Sequence, residues 1–490
     1  MLEELKKEAN RTTTLNGASS LVSSGKFCLD LFAAAGAMRN ISREEVLRRF
    51  YHAFYEDSLT AMKILFFARD IRGGLGERQV FRTIIKSLAK TEKDVVVKNL
   101  KNIPEYGRYD DWIPLLDTPC KRQVLALIKE QLEEDLKRCV SGNVSLLAKW
   151  LPSVNAANRE TKRFGREVAR GLSMTEKEYR KTLTKLRKRI AIIENHLREK
   201  DYSFDYEKQP SRALFKYRHA FEKNDGERYR VFLERARSGE ARMNTGTLYP
   251  YDVIHPLFCF GWQRGEFLSA ADRMAVDTAW KALPDYTRGE NAIAVVDGSG
   301  SMYGGGNPMP AEVALSLGIY FAERNTGAFK NHFITFSENP RLVEIKGRDI
   351  YEKVNYCTGF QECANTNIQG VFELILRTAV KNKLPREELP KTIYIISDME
   401  FDRCAENADI TNFEMMKMKF TAEGYTLPKL VFWNVNVWNR QVPVKENESG
   451  TVLVSGCSPV IFEKVIGGET SPFQFMIDVI YAPRYDRILA

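Results

Sequence analysis

The chain has 490 residues, 44% hydrophobic and 28% charged, a balance that excludes a disordered or fibrous protein and leaves room for two or three domains. No apolar run reaches the roughly 18 residues of a membrane helix, and the charged N-terminus MLEELKKEANR lacks a signal-peptide core, so neither a membrane role nor export is expected. The net charge of +9 is unevenly placed: residues 1–290 hold 53 Lys+Arg against 40 Asp+Glu and residues 291–490 hold 20 against 24, which makes a polyanion a suitable partner for the first part alone.

In chain order, residues 1–27, with TTTLNGASSLVSSG among them, predict an extended or mobile arm. Residues 28–289 follow a helical pattern. SREEVLRRFYHAFYED (42–57), SLTAMKILFFARD (58–70) and ERQVFRTIIKSLAK (77–90) carry apolar residues three and four apart, and breakers such as RGGLGE, DTPC and CVSGN separate such runs. Short helices on short turns predict stacked hairpins, an irregular HEAT-like α-helical solenoid. Arg69, Asp70, Arg72 and Arg78 surround the Gly73–Gly74 turn; they either line a ligand surface or lock that turn through Asp70–Arg pairs, and the lock is the favoured reading. Lys149 could touch a ligand, while Trp150 beside it reads as core.

Between Arg159 and Arg189 twelve basic residues are interrupted by four acids. Arg159, Lys162, Arg163, Arg166 and Arg170 recur at three- and four-residue spacing and form a cationic stripe; Lys185, Arg187, Lys188 and Arg189 extend it. Such a stripe suits a phosphate backbone bound in a salt-dependent, sequence-tolerant way, although most charge runs are only solvated faces. Phe215, Tyr217 and Tyr229 lie among further basic residues and could stack on bases, but their helical spacing favours core positions.

From residue 290 to 490 the pattern changes. The strand-like runs NAIAVV, NHFITFS, KTIYIIS, KLVFWNVN and TVLVSG alternate with helical ones, which predicts a doubly wound parallel sheet whose strand-end loops meet at one crevice. The eight cysteines include no C-x-x-C pair and suit reduced thiols in the cytoplasm, and the five histidines show no metal-ligand spacing. The first strand ends in AIAVVDGSGSMYG. Asp297, Ser299 and Ser301 of that loop, with Thr366 before the helix NIQGVFELIL and Asp398 closing KTIYIIS, would give two carboxylates and three hydroxyls around one divalent cation. Magnesium suits that set best, since it accepts one or two carboxylates plus water. Gly298 and Gly300 would supply the backbone freedom the loop needs. Glu400 and Asp402 in SDMEFD either strengthen the negative field or cap the following helix, the cap being favoured for Asp402.

D-x-S-x-S after a first strand, a separate threonine loop and a strand-end aspartate resemble the metal-ion-dependent adhesion site of von Willebrand factor A domains, with Asp297, Ser299, Ser301, Thr366 and Asp398 at the five matching positions. FFARDIRGGLGERQVFR (66–82) and NIPEYGRYDDWIPLL (102–116) resemble elements of TROVE modules, the helical-repeat part of Ro ribonucleoproteins. Together with SLLAKWLPSVN, MTEKEYRKTLTKLRKRIAIIE and the FWNVN strand, they closely resemble a family of undescribed function that joins such a helical part to an A domain. The likeness to Ro proteins proper is distant. The resemblance implies small noncoding or single-stranded RNA as partner, a helical array closing into a ring, and an A domain that clamps an acidic group of a protein ligand through its metal. The residues themselves leave ring closure open.

No nucleophile elbow, phosphate loop or dinucleotide fingerprint occurs in the sequence, and no histidine or lysine is placed to act as a base beside the metal residues. The leading expectation is therefore a non-enzymatic ribonucleoprotein component. A metal-dependent protein-interaction adaptor comes second and a metal-dependent hydrolase third.

Overall fold

The computed structural model describes residues 1–139, 143–190, 192–258, 268–304, 306–360, 367–402, 412–466 and 471–490. A short hairpin, β1 (Arg11–Thr13) with β2 (Ser19–Leu21), precedes the helical part. A six-stranded sheet follows it, built from β3 (Ala292–Asp297), β4 (His332–Phe336), β5 (Leu342–Glu344), β6 (Thr392–Ser397), β7 (Lys429–Asn434) and β8 (Thr451–Ser455) in the order β5–β4–β3–β6–β7–β8. Every residue of β3 and β6 is buried, as continuous apolar runs require when both faces of a sheet are covered. The sheet is not wholly parallel. β5 runs antiparallel to β4, and with three residues, of which only Val343 is buried, it is too short to announce itself in the sequence.

The helical segments form where their periodicity and caps place them. Ser42 accepts the Glu45 N–H at 3.2 Å to open Arg43–Glu56, and Asp57 accepts the Thr60 N–H at 3.0 Å to open Ser58–Arg69. Both ends of the helical part rest on the sheet unit. At the first end, Phe27–Ala34 packs on β8; at the other, Pro250–Ile254 and Ala270–Lys281 pack on Pro310–Arg324 and Ile350–Thr358. The late stretch of the helical part also meets an early turn, where Tyr249 donates to the Leu75 carbonyl at 3.2 Å. The chain path is thus closed. At the first seam a Cβ on Gly36 would lie 2.6 Å from the Ser455 carbonyl oxygen, and Gly456 opposite has φ of +101°, so glycine is required on both sides of the contact.

The first 27 residues, expected as a mobile arm, are docked. Leu2–Ala9 is helical, and the hairpin turn lies on the sheet unit, with Thr14 donating to the Phe401 carbonyl at 2.5 Å and Ser20 donating to the Val442 carbonyl at 3.0 Å. A Ser/Thr-rich segment is held here by its hydroxyls, which find buried carbonyl partners instead of water.

The C-terminal residues return to the helical part. Pro472–Ile480 packs on Phe27–Ala34, Ser58–Arg69 and β8, after which Arg484 Nη2 and Tyr485 Oη donate to the buried Asp70 at 2.7 and 3.0 Å. The Arg–Asp lock expected within the Gly73–Gly74 turn is therefore long-range: Asp70 holds the C-terminus, and Arg69 pairs with Asp111 at 2.7 Å. Burial pushes the Asp70 carboxyl up, but the Arg484 guanidinium and the Arg72 and Gly73 N–H groups outweigh it and leave the carboxyl below its ordinary value. A depressed acid contributes stability that is complete above its unfolded value, near 3.9, and disappears as pH falls through the lower folded value. Asp70→Asn should accordingly cost about 2–4 kcal/mol at neutral pH in urea unfolding. The gap between wild type and variant should close below about pH 3; a constant gap would rule out the ion pair as its source.

Candidate functional site

The strand order reverses at β3 and β6, so the loops leaving their carboxyl ends face one crevice. Asp297 ends β3 and Asp398 follows β6, and both side chains are buried. The Ser397 hydroxyl donates to Asp297 Oδ2 at 2.5 Å, and the Ser299 N–H donates to Asp297 Oδ1 at 2.9 Å. Ser299 and Ser301 hydroxyls lie 3.1 Å apart, and Ser301 donates to Asp398. Four of the five expected cation ligands are therefore brought together. Thr366, the fifth, lies outside the described residues, which resume at Asn367; Asn367 caps Ile368–Asn382 by accepting the Gly370 N–H at 2.7 Å. Gly300 does not supply left-handed backbone but opens a 3-10 turn, Gly300–Tyr303.

Electrostatics set what this crevice can hold. Burial, with Asp398 alongside, pushes the Asp297 carboxyl above its ordinary range. Burial also raises Asp398, although hydrogen bonds from Ser301, the Glu400 N–H and the Trp438 indole oppose it. Among the described residues neither carboxylate has a Lys or Arg partner, and nowhere do three or more His, Cys, Asp or Glu side chains gather as a metal cluster. Two carboxylates without a counter-charge, flanked by two hydroxyls, are a donor set that fits a hard divalent cation completed by water. A bound cation would neutralise the pair; the chain's own hydroxyls and N–H groups fix which carboxylate oxygens face it.

Glu400 is buried, accepts the Leu15 N–H of the N-terminal hairpin at 2.6 Å, and is raised by burial. It also lies close enough to Asp398 for that charge to raise its carboxyl further, in line with the expected negative field. Asp402 forms an isolated bridge with Gly17, and the segment that its expected cap would serve, residues 403–411, lies outside the described residues.

On the helical part, Asn158 caps Arg159–Gly171, whose buried face is Phe164, Gly165, Val168 and Ala169. The opposite face carries the expected stripe. Arg159 and Lys162 have no ionic or hydrogen-bonding side-chain partner among the described residues, nor do Lys185, Lys188 and Arg189 on Glu176–Arg189. The other four basic residues are engaged. Arg163 makes a bidentate pair with Asp117 at 2.7 and 2.8 Å, Arg166 pairs with Glu176 at 2.9 Å, and Arg170 donates to the Arg166 carbonyl at 3.3 Å. Arg187 turns inward and spends its guanidinium on the Ala148 and Leu151 carbonyls and the Ser153 hydroxyl, which removes it from the expected surface. Phe215 and Tyr229 are core residues, as their spacing favoured.

The domain of unknown function DUF2828 matches residues 14–107 and 122–290, more than half of the chain. The chain belongs to the DUF2828 family. A second domain of unknown function, DUF7788, matches residues 291–471. The uncharacterized protein L728 of Acanthamoeba polyphaga mimivirus is 29% identical over 517 residues, covering 96% of this chain and 87% of that protein. The crystal structure of the Deinococcus radiodurans Ro (RSR) protein aligns over 90% of this chain and 99% of its own at 13% identity, with a TM-score of 0.38.

Three features of this DUF2828 member escaped sequence reasoning. Ser397 belongs to an apolar run and shows its role only once β6 lies beside β3. Trp438, half exposed, donates its indole N–H to Asp398 Oδ2 at 2.9 Å from a loop forty residues away. Arg108 lies 4.7 Å over the Trp150 ring, with Lys149 on the same ring at 5.6 Å. Trp150 is half-buried, not core. Burial holds the Arg108 guanidinium below its ordinary value, and the nearby Arg69, Arg78 and Arg212 add to that effect. The D-D-W-I-P stretch that follows Arg108 could have pointed to an ordered loop, but not to the tryptophan it meets.

Proposed function

We propose that this protein is a non-enzymatic RNA-binding component. Its helical part holds single-stranded or small noncoding RNA, and its sheet unit, an A domain by its motif order, holds a divalent cation, Mg2+ by preference, that an acidic group of a protein partner completes. The observation that carries the RNA reading is the set of five cations on two neighbouring helices, Arg159, Lys162, Lys185, Lys188 and Arg189, left without carboxylate partners among the described residues in a part of the chain with excess positive charge. The resemblance of the 66–82 and 102–116 stretches to TROVE elements supports it. Arg108 over Trp150 adds a cation beside an aromatic face, the pairing that single strands favour.

Filter binding of a labelled oligouridylate tests the reading. Five phosphate contacts predict a slope of about −3.5 for log K against log salt. Alanine at all five positions should flatten that slope by most of its value, while Asp297→Asn leaves it intact. Retention that ignores salt, or that survives the fivefold variant unchanged, refutes this assignment of the RNA surface.

A further inference from the structure

Beside the cation crevice, and separate from it, lies a cavity of about 150 Å³ between the sheet and the first two helices of the helical part. Met399 after β6, Phe432 on β7 and Leu453 on β8 form its floor, and Leu31 and Ala34 of Phe27–Ala34 form its roof. Its mouth is cationic. Arg48, Arg49 and Arg440 all converge on the single carboxylate of Glu45, with Arg49 Nε and Arg440 Nε at 2.8 and 2.9 Å from its Oε1. Arg48 and Arg440 remain 43% and 40% exposed, so both can turn part of the guanidinium to an incoming group. The other groups that face this mouth are Asp30 and His52. Asp30 is occupied by the Ser23 hydroxyl at 2.5 Å and the Ser24 N–H at 2.9 Å, and His52 lies against Phe27 with ring centroids 5.0 Å apart. Three guanidiniums against two carboxylates leave an excess positive charge at the opening of an apolar hole.

We infer that this cavity binds a small organic acid, with a single ring or short chain in the apolar part and its carboxylate on Arg48 and Arg440. A dry cavity of about this volume accepts one benzene ring, and an exposed guanidinium offers a carboxylate a two-pronged hydrogen bond. The carboxyl ends of parallel strands are also where ligands enter such sheets. On the polar wall Gln441 is held by the Met399 carbonyl and the Ser20 hydroxyl, which leaves the Asn434 and Asn439 side chains to meet one further polar substituent.

Benzoate is the probe, with benzamide as its uncharged counterpart, both titrated into the full chain by calorimetry and followed by saturation-transfer NMR. Nine heavy atoms and one ionic contact predict a dissociation constant of about 1 mM or tighter, with benzamide roughly tenfold weaker. Ala34→Phe fills the roof and should abolish the binding. Arg440→Gln, at an exposed position that leaves the core untouched, should weaken benzoate about tenfold without affecting benzamide, and it decides the matter even if Ala34→Phe fails to fold. Absence of saturable benzoate binding, equal affinity for the two probes, or benzoate binding unchanged by Arg440→Gln overturns the inference.

Discussion

Asp297→Asn should abolish cation binding and, at the same time, stabilise the cation-free protein. The two effects share one cause. Asp297 and Asp398 are buried side by side with no basic partner among the described residues, so each destabilises the fold when both are ionised. Asparagine keeps an oxygen to accept the Ser299 N–H and presents its amide to Ser397, whose hydroxyl can accept as well as donate. Relief of the carboxylate pair should add about 1–3 kcal/mol to unfolding in a chelator. In wild type, a cation at a hundred times its dissociation constant should add about 2.7 kcal/mol; in the variant it should add nothing, with Mn2+ affinity by calorimetry down at least about a hundredfold. The pH dependence has a definite sign. An acid raised in the folded state stabilises when protonated, so the cation-free wild type should lose stability as pH rises from about 3.9 through the raised folded value, and Asp297→Asn should flatten that fall. A variant that keeps the Mg2+-dependent gain in stability, or that is destabilised in chelator, would dispose of the cation site.

How much of this was legible in the chain follows from the range of the interactions. β3, β6, β7 and β8 announce themselves as apolar runs because both faces are covered, and the strand order then carries Asp297 and Asp398 to the crevice. Helices such as Arg43–Glu56 are written in local spacing and an N-cap serine. Contacts between distant segments leave no such trace. The hairpin that buries Glu400, the C-terminal arginine that claims Asp70, and the Trp438 indole on Asp398 each join residues hundreds or tens of positions apart, with no local periodicity to mark them. Arg187 illustrates the opposite failure: its spacing places it in a charge run, yet neighbouring carbonyls from Ala148 and Leu151 draw it inside. Charge in a sequence gives the supply of cations, and only packing decides which of them remain available.

The same division between supply and availability makes Asp111→Ala the most damaging single change expected in the helical part. Asp111 has no exposed side-chain surface and accepts from Arg69 Nε at 2.8 Å, Arg82 Nε at 2.6 Å and the Arg108 N–H at 2.9 Å. Arg69 is equally enclosed, at 1% exposure, so removal of the carboxylate strands a buried guanidinium that cannot reach water. Arg82 is less affected, since Asp110 holds it at 2.7 Å. Loss of one partner of such a pair costs about 3–5 kcal/mol, whereas replacement of both partners by apolar groups is often close to neutral. Asp111→Ala should therefore destabilise far more than the double variant Arg69→Met/Asp111→Leu, and equal costs in urea unfolding would mean that the charge pair matters only through its packing. Because Asp111 also fixes the backbone at Arg108, the guanidinium over Trp150 should lose its place in both variants. Quenching of Trp150 fluorescence by oligouridylate then separates the two roles of this carboxylate: the double variant should recover stability without recovering the quench.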